Sequence, residues 1–349
     1  MRICAFLFSC FFLVYAQTQI NWDSIVKKSE EVVEMMPDGF YISIGLVKNG
    51  QVHFLGWTTA NGNIQKSDLK DSLFEIGSIT KVFTSTLLAQ AVNRKEIKSN
   101  AAVNKIFPYQ FNENIKLTFQ ELSNHTSGLY RLPTNIFPLL MSTPENPYRM
   151  YSSEMLDNYL KNELILEFPA KKTFSYSNLG AGILAYALSL KKQKPFEEML
   201  AVDVFQKYGL LHTNFGKETS IAGINELNEP ATNWDFNALK GAGGLVSNTA
   251  DMTRLIIAEL NADEDLALTQ KETFVVSDNM SIGMGWFIIG SQDVNKKYFH
   301  NGGTGGFCSS MVFCPTTQSG VVILTNISAM HPSAQAFDPL CFELLDLLK

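Results

Sequence analysis

Alternating apolar and polar positions near the two ends of the chain predict strands, and a helical spacing between them predicts helices. Near the start, apolar runs at 40–47 and 51–58 are joined through Asn49-Gly50, a strong signal for a β-hairpin turn. Near the end, further strand-like runs are predicted at 284–289, 297–300, 306–314 and 320–326, before a last helix at 334–348. Strands from both ends can share one antiparallel sheet.

The middle of the chain has the spacing of helices and lacks a series of strands. Helices are predicted at 117–123, 153–164, 179–190 and 195–208. Another helix is predicted at 23–36, and a further one follows the polar cap at 247–251 and ends at residue 260. The whole pattern predicts the α/β (α+β) class, with one antiparallel sheet flanked by helices and an all-helical lobe inserted. We expect one domain over 17–349, with its sheet lobe at about 17–75 and 245–349 and its helical lobe at about 76–244.

Composition narrows the classes of function. The 349 residues are 46% hydrophobic, which allows a large core, and 18% charged with a net charge of −6. The chain has no basic tract, so nucleic acid is not expected as a partner.

The first residues have the composition of an export signal. After Met1-Arg2 comes an apolar run over 3–16, with Val14 and Ala16 at the −3 and −1 positions of a cleavage site. Residues 1–16 are therefore predicted to be a signal peptide cut after Ala16, which implies a secreted or periplasmic protein. The run is shorter than the roughly 20 residues of a membrane span, so no stable transmembrane anchor is expected. Lipoprotein attachment at Cys10 is the alternative.

Three cysteines remain after such a cut: Cys308, Cys314 and Cys341. A small, odd number in a chain of this length does not form a disulfide framework. If 308–314 is a single strand, its two cysteines lie roughly 20 Å apart and cannot pair with each other.

The first candidate for chemistry is the segment from Ser78 to Lys81, between a short apolar run and a helical pattern. The serine lies at the first turn of the predicted helix, and the lysine lies on the same face. A serine hydroxyl needs a base to become a nucleophile, and a lysine with a depressed pKa can be that base. The free N–H groups of the first turn favour negative charge beside the serine. The other Ser-x-x-Lys segments lie in solvated stretches or at a helix C-terminus: 24–27, 67–70 and 189–192.

The second candidate is Tyr176-Ser177-Asn178, the only Tyr-x-Asn in the chain, in a polar turn before a predicted helix. A phenol there can carry protons if a nearby ammonium lowers its pKa, and Asn178 can hydrogen-bond a substrate amide. A structural interpretation stays open, in which Ser177 or Asn178 caps the helix and Tyr176 is a surface aromatic residue.

The third candidate is the run His-Asn-Gly-Gly-Thr-Gly-Gly at 300–306, at the end of a predicted strand. Glycines in a strand let another backbone or a ligand approach closely, and a main-chain N–H there can stabilise an oxyanion. The structural alternative is a mobile glycine loop. The run lacks the strand–helix context of a phosphate-binding motif.

In this order the three segments resemble the Ser-x-x-Lys, Tyr-x-Asn and Lys/His-x-Gly motifs of the penicillin-recognising serine hydrolases, the superfamily of serine β-lactamases and penicillin-binding proteins. The resemblance is to the branch that contains class C β-lactamases, D-alanyl-D-alanine carboxypeptidases, D-aminopeptidases and related esterases. It extends over about 25–345, with further similar segments at 122–129, 241–247 and 283–286. It implies a β-lactamase/transpeptidase-like fold.

The resemblance also implies roles for individual residues. Ser78 would be the acylated nucleophile with Lys81 as its proton partner, and Tyr176 would protonate the leaving group and activate the deacylating water. Asn178 would position the substrate, and the N–H of Gly303 would join that of Ser78 at the oxyanion. No metal and no cofactor are expected, because the lysine and the tyrosine carry the protons.

The third motif departs from the commonest pattern of these relatives. His300 stands where many of them have a lysine, and Asn301 stands where they have a threonine or a serine, which puts recognition of a substrate carboxylate in doubt. Gly302 and Thr304 complete the expected substrate-binding set, with the threonine hydroxyl as a nearby substitute donor.

We therefore expect a secreted, monomeric serine hydrolase that cleaves the amide bonds of β-lactams or D-alanyl peptides. An esterase or D-aminopeptidase of the same fold is the first alternative, and a penicillin-binding sensor that is acylated without turnover is the second. We also expect 130–152 to border the substrate cleft through apolar residues such as Leu132 and Phe137, and His125 to bond loop backbone.

Overall fold

A computed structural model describes residues 20–216 and 219–349. Its strands, in chain order, are β1 (Tyr41–Lys48), β2 (Gln51–Ala60), β3 (Asn63–Lys66), β4 (Phe74–Glu75), β5 (Asn214–Phe215), β6 (Gly223–Ile224), β7 (Pro230–Ala231), β8 (Leu245–Ser247), β9 (Phe274–Ser277), β10 (Met280–Ile282), β11 (Phe287–Ile289), β12 (Lys297–Gly303), β13 (Cys308–Cys314) and β14 (Ser319–Thr325). One nine-stranded antiparallel sheet has the order β3-β2-β1-β14-β13-β12-β11-β10-β9. Strands from both ends of the chain meet where β1 pairs with β14, which confirms the predicted sheet.

The helices cover the sheet and fill the middle of the chain. They are α1 (Trp22–Val33), α2 (Thr80–Asn93), α3 (Phe119–Ser123), α4 (Phe137–Ser142), α5 (Ser153–Asn162), α6 (Asn178–Lys192), α7 (Phe196–Met199), α8 (Gln206–Tyr208), α9 (Thr249–Leu260), α10 (Glu264–Thr269) and α11 (Phe337–Leu347). In the described ranges, no helix combines the length and the apolar character that a membrane crossing requires.

The centre of the sheet is buried on both faces. Ile42, Ile44 and Leu46 of β1 share a buried apolar cluster with α1 and α11 on one face. The alternate residue Ser43 points to the other face, where α9 packs and the hydroxyl of Thr249 lies 2.5 Å from the serine hydroxyl. This double burial accounts for the nearly continuous apolar runs of the central strands.

The sequence predicted an all-helical lobe in the middle of the chain, but this region also contains short strands. The two-residue strands β5, β6 and β7 lie in it, and a strand of two residues is too short to show an alternating pattern. The helix predicted at 195–208 is α7, a π-helical segment at Leu200–Phe205, and α8 in succession. The strand predicted from residue 284 begins at Phe287, because Gly285 adopts a φ of +78° that a strand does not allow.

Cys308, Cys314 and Cys341 are free and buried. The run 308–314 is a single strand, β13, with Cys308 and Cys314 at its two ends. The predicted signal peptide and Cys10 lie outside the described residues.

Candidate active site

Ser78 lies in the 3-10 turn Gly77–Ile79, between the short strand β4 and helix α2. Helix α2 is buried on every side from Thr80 to Ala91, so packing on all its faces determines its position. Gly77 has a φ of +48°, in the left-handed region that glycine adopts without strain. The half-buried serine is therefore held on a rigid segment.

The side chain of Lys81 is buried, and its nitrogen contacts three acceptors. Nζ lies 2.9 Å from Ser78 Oγ, 2.9 Å from Asn178 Oδ1 and 2.7 Å from the carbonyl oxygen of Ala242. The first two predicted motifs thus meet at one atom. The contact with Ala242, at the end of a 3-10 helix at Asn237–Ala242, was not predicted.

Burial lowers the pKa of Lys81 well below its ordinary value, and the positive charge of Arg131 lowers it further. An amide oxygen and a backbone carbonyl can only accept, so they take the two N–H bonds of a neutral amine. The lone pair of that amine is then left for Ser78 Oγ. This arrangement can remove the proton from the serine hydroxyl.

Asn178 is oriented by a contact on its other amide atom. Its Nδ2 donates to the phenol oxygen of Tyr148 over 3.0 Å, so its Oδ1 faces Lys81. Tyr148 in turn stacks on Phe236, with ring centroids 4.4 Å apart. Asn178 opens helix α6, which is capped by the hydroxyl of Ser177. The capping interpretation and the chemical interpretation of this segment are therefore compatible, because capping uses the side chain of Ser177 and the proposed chemistry uses those of Tyr176 and Asn178.

Tyr176 lies beside two basic side chains. Its ring centroid is 4.8 Å from Lys81 Nζ and 5.1 Å from the guanidinium carbon of Arg131, and the contact with Arg131 is at a cation–π distance. Burial raises the pKa of its phenol, although a hydrogen bond with Ser78 and the charge of Arg131 act in the opposite direction. The prediction that a nearby ammonium lowers this pKa is therefore wrong, because desolvation outweighs the charges. Tyr176 is a neutral phenol, which can donate a proton.

His125 supports the second motif from below. Its Nδ1 accepts from the backbone N–H of Ser177 over 3.2 Å, and its carbonyl accepts from the N–H of Ser175. Its ring centroid lies 4.4 Å from that of Tyr176. Burial lowers the pKa of His125 well below its usual value, so the ring is neutral. The predicted role in bonding loop backbone is confirmed.

The end of strand β12 packs directly against the serine turn. A Cβ atom on Gly302 would lie 2.1 Å from the carbonyl oxygen of Ile76 and 2.8 Å from the backbone nitrogen of Ser78. A Cβ atom on Gly77 would lie 2.5 Å from the backbone nitrogen of Gly303. Only glycine fits at these distances, which confirms the predicted close backbone approach. The N–H groups of Ser78 and Gly303 are thereby neighbours.

His300 is buried behind this strand end, beside the ring of Tyr176 at a centroid distance of 6.3 Å. Its Nδ1 lies 2.6 Å from the carbonyl oxygen of Asn301 and therefore carries the ring proton, while its Nε2 has no hydrogen-bond partner. Burial lowers the pKa of His300 to about 3. His300 is thus a neutral ring that faces Tyr176 and does not line the cleft.

The two polar residues of the third motif point in different directions. Asn301 lies at the cleft, where its Nδ2 donates to Asp338 Oδ2 over 2.6 Å. Thr304 is buried, and its hydroxyl donates to Glu75 Oε2 over 2.5 Å. A substrate cannot reach this hydroxyl, so Thr304 leaves the candidate substrate-binding set and serves the fold.

An open cleft of about 760 Å³ connects these elements. Of the candidate residues, those that line it are Ser78, Tyr176, Asn301, Gly302 and Gly303. Sequence reasoning missed the aromatic walls Phe174 and Phe287 and the charged residues Arg131 and Asp338. Arg131 falls within the stretch 130–152 that was expected to border the cleft, but the apolar residues Leu132 and Phe137 do not line it. Within 20–216 and 219–349, no group of three or more His, Cys, Asp or Glu side chains is arranged to hold a metal ion.

An antiparallel sheet joined to a helical lobe, with a linked serine and lysine between them, is the arrangement of the penicillin-recognising serine hydrolases. A model of the family described as Beta-lactamase matches residues 41–341, so the chain belongs to the beta-lactamase family. The resemblance drawn from the three motifs is confirmed, and the chain is a serine hydrolase of this family.

Individual relatives are distant in sequence but similar in length. The chain is 22% identical to a beta-lactamase from Pseudomonas fluorescens, over 89% of this chain and 94% of that protein. It is 23% identical to the D-alanyl-D-alanine-carboxypeptidase/endopeptidase AmpH of Escherichia coli (strain K12), over 78% of this chain and 75% of that protein. The solved structure of a beta-lactamase/D-alanine carboxypeptidase from Pseudomonas syringae matches with a TM-score of 0.77 at 20% identity, over 93% and 98% of the two chains. This confirms the predicted fold class.

Proposed function

We propose that the protein hydrolyses an amide or ester through a covalent acyl-enzyme at Ser78. The observation that carries the proposal is the buried Lys81 nitrogen, whose other two contacts are both acceptors and which lies 2.9 Å from the serine oxygen. A lysine with a lowered pKa in that position is a base with one free lone pair.

In acylation, Ser78 Oγ attacks the substrate carbonyl carbon and its proton passes to Lys81 Nζ. The bond to the leaving nitrogen or oxygen then breaks, and Tyr176 gives its phenol proton to the leaving group. Lys81 returns a proton to Tyr176, so both groups end as they began. The raised pKa keeps Tyr176 a neutral phenol, so its proton is present when the leaving group needs it.

Deacylation uses the same groups in the opposite direction. Water attacks the acyl carbonyl and gives a proton to the Tyr176–Lys81 pair, and the Ser78 oxygen leaves with a proton from that pair. In both steps the N–H groups of Ser78 and Gly303 stabilise the oxyanion. The contacts that only glycine allows at this strand end support that assignment.

We propose a β-lactam or a D-alanyl peptide as the substrate, by analogy with the activities named for the two relatives. The second candidate is an esterase or a D-aminopeptidase, and one observation favours it. The third motif presents no cation and no free hydroxyl to the cleft, because His300 is neutral and buried and Thr304 bonds Glu75. A penicillin-binding sensor would be acylated at the same serine without turnover.

The proposal extends to the location and organisation of the protein. We propose export directed by residues 1–16, a monomer, and one catalytic domain over 17–349 with the two lobes described above. N-terminal sequencing of the exported protein tests the cut after Ala16, and light scattering tests the monomer.

The test of the function is turnover of three substrates by the wild type and by Ser78→Ala. They are a chromogenic cephalosporin, a D-alanyl-D-alanine peptide and p-nitrophenyl acetate. We expect at least one to be cleaved by the wild type, and the variant to lose about 10³-fold or more in kcat/KM. Ser67→Ala, in another Ser-x-x-Lys segment, is the matched control and should keep full activity.

Turnover by Ser78→Ala equal to the wild type would overturn the nucleophile. Stable labelling of Ser78 by a fluorescent penicillin, without turnover of any substrate, would instead identify a sensor.

A further inference from the structure

The sheet side of the cleft carries the carboxylate of Asp338, whose pKa is raised by burial in spite of its hydrogen bond with Asn301. Asp338 lies in the first turn of α11 and lines the same cleft as Ser78. Its Oδ2 accepts from Asn301 Nδ2 over 2.6 Å, which holds the carboxylate at the third motif. In the part of the chain that the structure describes, no lysine, arginine or histidine lies close enough to pair with it.

The polar side chains of the third motif are poorly suited to bind a substrate carboxylate. His300 is neutral, buried and directed away, and the Thr304 hydroxyl is bonded to Glu75. The Asn301 amide nitrogen already donates one of its two N–H groups to Asp338. A substrate carboxylate placed here would face another carboxylate, and repulsion between like charges is a common way to exclude a ligand. An ammonium group placed here would instead form a charge-assisted hydrogen bond.

The cleft has the opposite charge on its other side. Arg131 comes from the helical part of the chain, is exposed and lines the cleft beside the ring of Tyr176. His331 also lines it, but its two ring nitrogens already contact the N–H of Ser333 and the side chain of Asn228. Asp338 and Arg131 are therefore the charged residues of the cleft lining. The sheet side of the cleft is negative and the helical side is positive.

We propose that Asp338 is a specificity-determining residue, which selects substrates that present an ammonium group to strand β12 and disfavours those that present a carboxylate there. This rests on the proposed acyl-enzyme at Ser78. Among the candidate substrates, it selects D-amino-acid amides and esters with a free amino group over peptides that end in a carboxylate.

The test compares three p-nitroanilides with the same leaving group: D-alanine p-nitroanilide, N-acetyl-D-alanine p-nitroanilide and N-succinyl-D-alanine p-nitroanilide. They carry a positive, a neutral and a negative acyl group. We expect the wild type to cleave the positive substrate best. Asp338→Asn should lower its kcat/KM about tenfold, raise that of the negative substrate several-fold and change that of the neutral one by less than about twofold.

The matched control is Asp346→Asn, which removes an aspartate from the same helix at an ion pair with Lys297 outside the cleft. It should leave the ratios of kcat/KM among the three substrates unchanged. High salt should narrow the difference between the positive and negative substrates in the wild type but not in Asp338→Asn, which gives a readout even if the variant loses stability.

An equal change for all three substrates in Asp338→Asn, or a wild-type preference for the negative one, would overturn the inference. If the wild type cleaves p-nitrophenyl acetate through Ser78 but does not prefer the positive anilide, the inference fails and the proposed function stands. If Ser78 is never acylated, the proposed function itself fails.

Discussion

The two sides of the cleft differ in how their polar groups are used. On the helical side, Lys81, Asn178 and Tyr148 form one chain of hydrogen bonds that ends at the Ser78 hydroxyl. On the sheet side, the third motif is divided: its histidine faces inward and its asparagine holds a carboxylate. In the proposed mechanism the helical side moves the protons, and in the further proposal the sheet side selects the charge of the substrate. Reaction type and selectivity can vary independently on such a site.

The largest loss of activity is expected when the proposed catalytic base on the helical side, Lys81, is removed. Lys81→Met removes the proton acceptor and should lower kcat/KM about 10³-fold or more. In the wild type, kcat/KM should rise with pH as Lys81 loses its proton, at a pH well below the ordinary lysine range. His300 cannot account for that rise, because its pKa of about 3 leaves it neutral throughout.

Lys70→Met is the matched control for this prediction, since Lys70 belongs to another Ser-x-x-Lys segment and pairs with the exposed Asp68. It should keep wild-type kinetics. Activity of Lys81→Met within tenfold of the wild type would mean that another group removes the proton.

A smaller effect is expected for the second proton carrier on the helical side. Tyr176→Phe keeps the ring contacts but removes the phenol, and should lower kcat about 10²-fold. Rapid-quench kinetics should show whether acylation or deacylation slows. Tyr186→Phe, whose hydroxyl contacts Asp157 away from the cleft, should have normal kinetics. If Tyr176→Phe is fully active, the leaving group takes its proton from elsewhere.

The smallest effect concerns stability and tests the buried state of Glu75, the hydrogen-bond partner of Thr304. Burial raises the pKa of its partner Glu75 from 4.5 to about 7. The folded state therefore binds a proton that the unfolded state has released between these pH values, and the free energy of unfolding should fall by up to about 3 kcal/mol as pH rises through that window. Glu75→Gln cannot titrate and should flatten the curve.

Urea unfolding between pH 4 and pH 8 measures this dependence, with the exposed Glu113→Gln as the matched control. An unchanged slope in Glu75→Gln would show that burial does not raise the pKa of Glu75 in the folded state.

The sequence was most informative where chemistry requires particular residues at short spacing. A serine and a lysine three residues apart at a helix start predicted their contact, because one turn of helix brings them together. Glycines at the end of β12 predicted a close backbone approach. In each case the cause is local.

The features that sequence reasoning missed depend on contacts between distant parts of the chain. Asp338 reaches the cleft only because α11 packs behind β13, and Tyr148 reaches Asn178 from a loop 30 residues away. The predicted direction of the pKa shift at Tyr176 was wrong, because burial outweighs the neighbouring charge. The motif alone does not show how deeply the side chain is buried.

The most direct test of the account is to identify the residue that carries the acyl group during turnover. The protein is mixed with p-nitrophenyl acetate or D-alanine p-nitroanilide, quenched with acid within milliseconds and digested for mass spectrometry. We predict one acyl group on the peptide that contains Ser78, which disappears as the substrate is consumed and never forms in Ser78→Ala. An acyl group on any other residue, or turnover without an acylated protein, would contradict the account.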